Sequence, residues 1–72
     1  MLKREAMDHF KNASNIARAL HITPAAVWKW GEIVPWFSAK DIERITSGAV
    51  RVREELYVRG RPLASIPPNY AA

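Results

Sequence analysis

The chain has 72 residues, with eleven Lys and Arg against seven Asp and Glu, a formal net charge of +4 and no cysteine. This length limits it to one small domain, and the lack of cysteine excludes disulfides and cysteine-ligated zinc. Hydrophobic residues make up 49% of the sequence, which is enough for a compact core and too much for a disordered chain. The basic balance favours an anionic partner, most often nucleic acid.

The sequence also argues against a membrane protein and against an enzyme. The first residues include Lys3, Arg4 and Asp8, so they do not form the apolar segment of a signal peptide. No apolar run approaches the roughly 18 residues of a membrane-spanning helix, and we expect a cytoplasmic protein. The histidines His9 and His21 lie apart from any ligand or triad spacing. We therefore expect no catalysis, no metal and no cofactor.

Two helices are predicted in the first twenty residues. Apolar residues at positions 2, 6, 7 and 10 have the spacing of one helical face, which predicts a helix over residues 2–10. Asn12 is a favoured N-cap residue. It predicts a second helix over residues 13–20, with Ile16, Ala17 and Leu20 on one face.

Two further helices follow after short connections. Thr23 followed by Pro24 is a typical helix start, which predicts a third helix over residues 24–30 that stops near Gly31. Residues 32–37 are predicted to form a loop, because Val34 precedes a proline. Ser38, with Asp41 three residues later, is a variant of the capping box and predicts a fourth helix from Ser38 to Gly48.

The C-terminal third leaves two alternatives open. Residues 49–52 alternate apolar and basic side chains, as in a short strand, whereas residues 53–57 suit one or two helical turns. Glu54 and Glu55 favour the helical alternative. Because prolines follow at positions 62, 67 and 68, we expect no regular structure after Gly60. The predicted organisation is a domain over residues 1–58 and a flexible, extended tail over residues 59–72.

The second and third predicted helices form a candidate helix-turn-helix unit. Two short helices joined by about three residues must cross steeply, and Ala17 provides the small side chain that a close crossing needs. The spacing indicates that four apolar residues fill the wedge between the two helices, namely Leu20, Ile22, Val27 and Trp30. Any three-helix bundle has similar spacing, so an ordinary structural role is the alternative.

The outer face of the third helix suits the major groove of DNA, about 12 Å wide. Ala25 and Ala26 allow close approach and suit thymine methyl groups, while Lys29 suits a guanine edge or a phosphate. Trp28 either contacts the groove or folds back onto the core, and we favour the second. The complete set of predicted DNA-binding residues is Asn12, Ser14, Asn15, Arg18, Thr23, Pro24, Ala25, Ala26, Trp28 and Lys29.

Residues 17–30, the loop to Pro35 and residues 42–50 together resemble the Cro repressors of lambdoid phages and the related YdaS-like regulators. The resemblance extends from Met7 to about Tyr57. It implies an all-α domain of five short helices that binds operator DNA. The family usually has Gly in the turn, where this chain has His21, and the position needs a positive φ, which His tolerates at some cost. The family often has Gln where this chain has Ala13, so Asn12, Ser14 and Asn15 are expected to make the phosphate contacts instead.

Trp36 and Phe37 are adjacent large aromatic residues, and both cannot point into so small a core. We expect one to pack under the fourth helix and the other to be exposed or to contact a partner, although both could tuck against the edge of the domain. This predicts a weak homodimer through five apolar residues, namely Trp36, Phe37, Val50, Val52 and Leu56.

Together these features predict a sequence-specific transcriptional repressor of phage or prophage origin, acting in the bacterial host cell on a pseudo-palindromic operator. The alternative is an antitoxin or protein-interaction module built on the same bundle. Four basic residues outside the helix-turn-helix unit are further candidates for phosphate contacts, namely Lys3, Arg4, Arg51 and Arg53. Arg59 and Arg61 are expected to be solvated surface charges.

Overall fold

The protein is described by a computed structural model that covers residues 1–68 and Tyr70. The described part contains four α-helices, one turn of 3-10 helix and a two-stranded antiparallel hairpin. The elements in chain order are α1 (Lys3–Phe10), α2 (Ala13–Leu20), α3 (Pro24–Trp28), α4 (Trp36–Ile45), the 3-10 turn (Glu54–Leu56), β1 (Tyr57–Val58) and β2 (Arg61–Pro62).

Local side-chain caps define the first three helices. The Glu5 carboxylate accepts a hydrogen bond from the Leu2 amide at 2.9 Å at the start of α1. The Asn12 side chain accepts one from the Asn15 amide at 2.8 Å, and α2 has the predicted bounds. The Thr23 hydroxyl accepts one from the Ala26 amide at 3.2 Å. The predicted helix starts at Asn12 and Thr23 are therefore confirmed, although α3 ends at Trp28 rather than at residue 30.

The predicted capping box of the fourth helix is wrong. α4 begins at Trp36, two residues before Ser38, and Pro35 is its N-cap with no side-chain cap. Val34 does precede a proline, but the fixed φ of Pro35 itself (−55°) is compatible with a helix that starts at the next residue. The helix ends at Ile45, where the Thr46 hydroxyl donates to the Ile42 carbonyl at 2.7 Å.

The C-terminal region corrects the all-α prediction of five helices. Among the described residues of that region only 54–56 are helical, and the chain then forms a hairpin in which Tyr57 opposes Pro62 and Val58 opposes Arg61. Arg59 and Gly60 both have positive φ, 53° and 76°, as two-residue hairpin turns require.

Regular structure does follow Gly60, contrary to prediction. Pro62 is accepted because it lies opposite Tyr57 one residue beyond the pair that flanks the turn, where no ladder N–H is needed. The next ladder hydrogen bond is donated by the Leu63 amide to the Leu56 carbonyl at 2.9 Å. The boundary predicted between residues 58 and 59 falls inside this hairpin. The flexibility of residues 59–72 concerns motion and stays a prediction.

Two apolar clusters hold these elements together. The larger lies between α1, α2, α3 and α4 and includes Ala6, Ile16, Val27 and Ile42, all of them fully buried. The smaller consists of Leu2, Ile33 and Leu56, and four partly buried residues pack against it, namely Tyr57, Leu63, Ile66 and Tyr70. The C-terminal segment therefore completes a core that α1 and the loop before α4 begin.

The first residue is tied into both clusters. The Met1 ammonium donates to the Tyr57 hydroxyl at 3.0 Å, and that hydroxyl donates to the Val34 carbonyl at 2.5 Å. The Val34 amide in turn donates to the Met1 carbonyl at 2.8 Å. Burial lowers the pKa of the Met1 amine to about 6 and raises the pKa of the Tyr57 hydroxyl to about 12.

Candidate nucleic-acid interface

α2 and α3 meet through a left-handed turn. His21 has φ 58° and ψ 41°, which confirms the positive φ predicted for the position. The Ile22 amide then donates to the Ala17 carbonyl at 2.9 Å, which closes the end of α2 and redirects the chain. Ala17 is 2% exposed. Its burial and small size are consistent with the predicted close crossing of the two helices.

Three of the four predicted wedge residues pack as expected. Val27 is fully buried, and Leu20 and Trp30 are partly buried against the main core. Ile22 does not belong to the wedge, because it is 37% exposed. It follows the left-handed residue and lies between the helices in the chain, at the surface of the connection.

The outer face of α3 is open to solvent. Thr23, Pro24, Ala25 and Lys29 are exposed, and Ala26 is partly exposed. Trp28 is 61% exposed, so our preference for a fold-back onto the core is wrong. The physical reason is the helical phase, since Val27 takes the buried position on this short helix and the next residue turns outward. The six predicted residues of α3 and its cap therefore form one continuous stretch at the surface.

Lys3 of α1 reaches the end of α3, which the sequence did not reveal. Its Nζ donates to the Trp30 carbonyl at 3.0 Å and lies 5.5 Å from the centre of the Trp28 ring. Its backbone amide donates to the Glu32 carbonyl at 2.8 Å. The sequence analysis considered Lys3 only for phosphate contact, and no local pattern connects residues 25 positions apart.

The polar residues at the start of α2 divide into two groups. Ser14 and Arg18 are exposed. The Asn12 side chain is occupied with the cap, and the Asn15 amide group donates to the Phe10 carbonyl at 2.7 Å. The Asn15 side chain therefore links the end of α1 to the start of α2 through this hydrogen bond.

The residues predicted for a dimer contact are not all at the surface. Phe37 is 83% exposed, whereas Leu56 is fully buried and Val50 is 5% exposed. Leu56 and Val50 offer no surface to a second subunit in this conformation, because Val50 is buried in the main core and Leu56 in the smaller cluster that the C-terminal segment covers. Trp36 is partly buried and packs edge-to-face on Tyr57, with ring centres 5.1 Å apart. One aromatic residue is thus packed and its neighbour exposed, as predicted, but Trp36 is the first residue of α4 and packs on Tyr57 rather than under the helix.

The positive charge is almost entirely at the surface. Of the eleven Lys and Arg side chains, all but that of Lys3 belong to exposed residues. Two of them have a carboxylate partner, Arg44 with Asp41 at 3.6 Å and Arg53 with Glu5 at 3.9 Å. Exposed pairs of this kind contribute little stability. The other exposed basic groups are available to an anionic partner.

Within residues 1–68 and Tyr70, no group of three or more His, Asp or Glu residues has the arrangement of a metal site. Over the same residues, none of the helices has both the length and the apolar character needed to cross a membrane.

Two short helices joined by a tight left-handed turn, with an open, partly basic outer face on the second, define the class of helix-turn-helix DNA-binding regulators. Comparison with known proteins specifies the family. Residues 2–61 match the family model described as the DNA-binding transcriptional regulator Cro, of the phage P22 type. The chain therefore belongs to this Cro family, as the resemblance predicted, and the family is one of DNA-binding regulators rather than of enzymes.

A relative from phage P22 is similar over most of its length, both in sequence and in structure. The chain is 39% identical over 57 residues to the regulatory protein Cro of Salmonella phage P22, and the match covers 79% of this chain and 93% of the relative. The solution structure of P22 Cro superposes with a TM-score of 0.75 at 37% identity, covering 82% of this chain and 97% of that one.

Proposed function

We propose that this Cro-family protein is a transcriptional repressor of phage or prophage origin that binds a pseudo-palindromic operator as a homodimer. It would act without a cofactor, in the cytoplasm of the bacterial host. The observation that carries the proposal is the outer face of α3, where exposed small residues and Lys29 lie side by side on a helix that α2 supports from behind.

Base readout would come from α3. Ala25 is exposed and Ala26 partly so, which lets the helix backbone approach the base edges closely. Lys29 is at the C-terminal end of the same face, where its flexible side chain can reach a guanine edge. A well-placed contact of this kind is worth about 1–3 kcal/mol of discrimination between bases.

Phosphate contacts would orient the unit. Ser14 and Arg18 are the exposed polar side chains of α2 among the predicted set, while Asn12, Asn15 and Thr23 would contribute groups beside their caps. For a dimer making about six to ten phosphate contacts, affinity should fall by roughly 10³ to 10⁵ between about 50 and about 200 mM salt. A nearly flat salt titration would favour the protein-interaction alternative.

A dimer is part of the proposal because one short helix reads only a few base pairs. Two subunits would place their copies of α3 about 34–36 Å apart, one turn of DNA. Phe37, 83% exposed at the start of α4, is the strongest candidate for the contact. The proposed interface also includes Trp36 and Val52. A contact of so few residues buries little area, so DNA would assist assembly.

The test begins with selection of the bound sequence from a random duplex pool. We expect an inverted repeat with half-sites about one helical turn apart. Phe37→Ser should then weaken cooperative binding and shift sedimentation on DNA toward a monomer. Val58→Ser is the matched control, since Val58 is also an exposed apolar residue, at 56%, but lies in the hairpin. Selection of no common sequence would reject the repressor function, and a dimer equally insensitive to both variants would reject the interface.

A further inference from the structure

Trp28 is an unusual residue for the outer face of a DNA-reading helix. Its indole is 61% exposed, although tryptophan is normally well buried. Its neighbours on this face are the compact residues of α3 and its cap, and the long cationic side chain of Lys29. A large apolar ring held in solvent at this point has a cost, and the core does not use it.

The ring nevertheless has a contact within the fold. Lys3 Nζ lies 5.5 Å from the ring centre, within the range of a cation–π contact. The same ammonium group donates to the Trp30 carbonyl at 3.0 Å, and the Lys3 amide donates to the Glu32 carbonyl at 2.8 Å. Lys3 is thus anchored at both ends, and it covers part of the indole with a cation that cannot move far. The remaining part of the Trp28 indole is exposed to solvent.

We propose that Trp28 reads a thymine by contact with its C5-methyl group, and that Lys3 is the positioning residue that orients the indole. This inference rests on the proposed function, because it assumes that α3 enters the major groove. Among the groups that base pairs present there, the thymine methyl is the apolar one. The indole carries a single N–H donor and no acceptor, and the rest of the ring is apolar carbon, which suits contact with a methyl group.

The alternative chemistry on the same side chain is donation from the indole N–H to a purine N7. The two possibilities differ in which atom of the operator matters, and an experiment with modified bases separates them.

The experiment uses the intact protein and the operator selected from a random pool. Each thymine is replaced in turn by uracil, which lacks only the methyl group, and each purine by its 7-deaza analogue. Loss of one buried methyl corresponds to about fourfold in affinity per half-site. We expect one symmetry-related thymine pair at which replacement by uracil weakens binding of the wild type. The same replacement should leave the affinity of Trp28→Ser unchanged. Trp28→Phe should keep part of the discrimination, because it keeps an apolar ring.

Lys3 is tested by the ratio of affinities for thymine and uracil at that position, which a merely structural or electrostatic role would not change. Lys3→Met should lower this ratio by about twofold or more, as the ring loses its fixed orientation. Arg4→Met is the matched control, because Arg4 is an exposed cation in the same turn of α1. It should weaken binding at all sequences alike and leave the ratio unchanged. Thermal unfolding of each variant checks the fold.

The outcomes are separable from those of the proposed function. If no operator is selected, the repressor function itself fails. If an operator is selected but Trp28→Ser keeps the thymine-to-uracil ratio of the wild type, methyl readout by Trp28 is wrong. Sensitivity to a 7-deaza purine that disappears in Trp28→Ser would overturn methyl readout in favour of the N–H contact. Equal ratios in Lys3→Met and the wild type would remove Lys3 from its positioning role.

Discussion

Residues 12–30 and residues 49–66 are stabilised in different ways. In the first region, which contains α2 and α3, neighbouring residues in the sequence set the ends of the helices. Asn12 caps one helix and Thr23 the next, and His21 makes the turn between them. The ends of these two helices are therefore determined by residues that are close in the sequence.

In the second region the contacts that matter are distant in sequence. Tyr57 bonds to Val34 and to the Met1 ammonium, 23 and 56 positions away. Leu56 is buried against Leu2 and Ile33. The proposed DNA-reading unit is thus defined by local contacts, whereas the C-terminal hairpin depends on packing against residues that are distant in the sequence.

The largest expected effect is at the centre of the second region. Leu56→Ala should lower the free energy of unfolding by about 2–5 kcal/mol, because it removes a fully buried side chain and leaves a cavity. Chemical denaturation measures the change. Leu63→Ala, at a partly buried position of the same cluster, should cost less. Equal costs at the two positions would mean that the smaller cluster is not centred on Leu56.

A smaller loss is expected where α2 packs in the main core. Ala17→Leu should cost about 1–3 kcal/mol through overpacking, since Ala17 is 2% exposed. Ala19→Leu is the control, because Ala19 is on the same helix and only partly buried. Native stability and normal DNA binding in Ala17→Leu would show that the helix crossing has been misplaced.

The local caps should each contribute less again. Thr23→Ala should cost about 1 kcal/mol through loss of the hydrogen bond to the Ala26 amide. Thr23→Ser retains the hydroxyl and should restore most of the loss. If the two variants unfold alike in denaturation experiments, the start of α3 does not depend on its cap.

The smallest effect concerns pH and the Met1 amine. Its pKa is lowered from 8.0 to about 6 by burial, so between these values the unfolded chain binds more protons than the folded one. The free energy of unfolding should therefore rise as pH increases from about 6 to about 8, by less than about 1 kcal/mol because the amine is only partly desolvated. Subtracting the pH profile of the Nα-acetylated protein isolates the contribution of the amine. A difference that is flat, or that falls with pH, would contradict the assignment.

The same contrast explains what could be predicted from the sequence. The start of α2 at Asn12, the start of α3 at Thr23 and the positive φ of His21 were predicted because each depends on residues one to four positions away. The start of α4 was misassigned because two local signals competed, and the fixed φ of Pro35 outweighed the side chain of Ser38. The hairpin was missed because prolines usually oppose strands, and the accepting position of Pro62 depends on its pairing with Tyr57.

The proposed site likewise contains features that local sequence predicts and features that depend on distant contacts. The exposed residues of α3, Trp28 included, follow from helical periodicity once Val27 takes the buried position. The contact of Trp28 with Lys3 joins α1 to α3 and could not be seen in the sequence. Val50 and Leu56 were predicted to lie at an interface, but the main core buries Val50, and the C-terminal segment adds a second cluster that buries Leu56.

The central claim is that the outer face of α3 reads DNA, and Lys29 tests it most directly. The measurement is the dissociation constant for the selected operator, compared between wild type, Lys29→Ala and Arg61→Ala, which removes the same charge from the exposed hairpin. The account predicts that Lys29→Ala weakens binding by at least about tenfold with an unchanged thermal melt, and that Arg61→Ala has a much smaller effect. Equal dissociation constants for Lys29→Ala and the wild type would contradict the account.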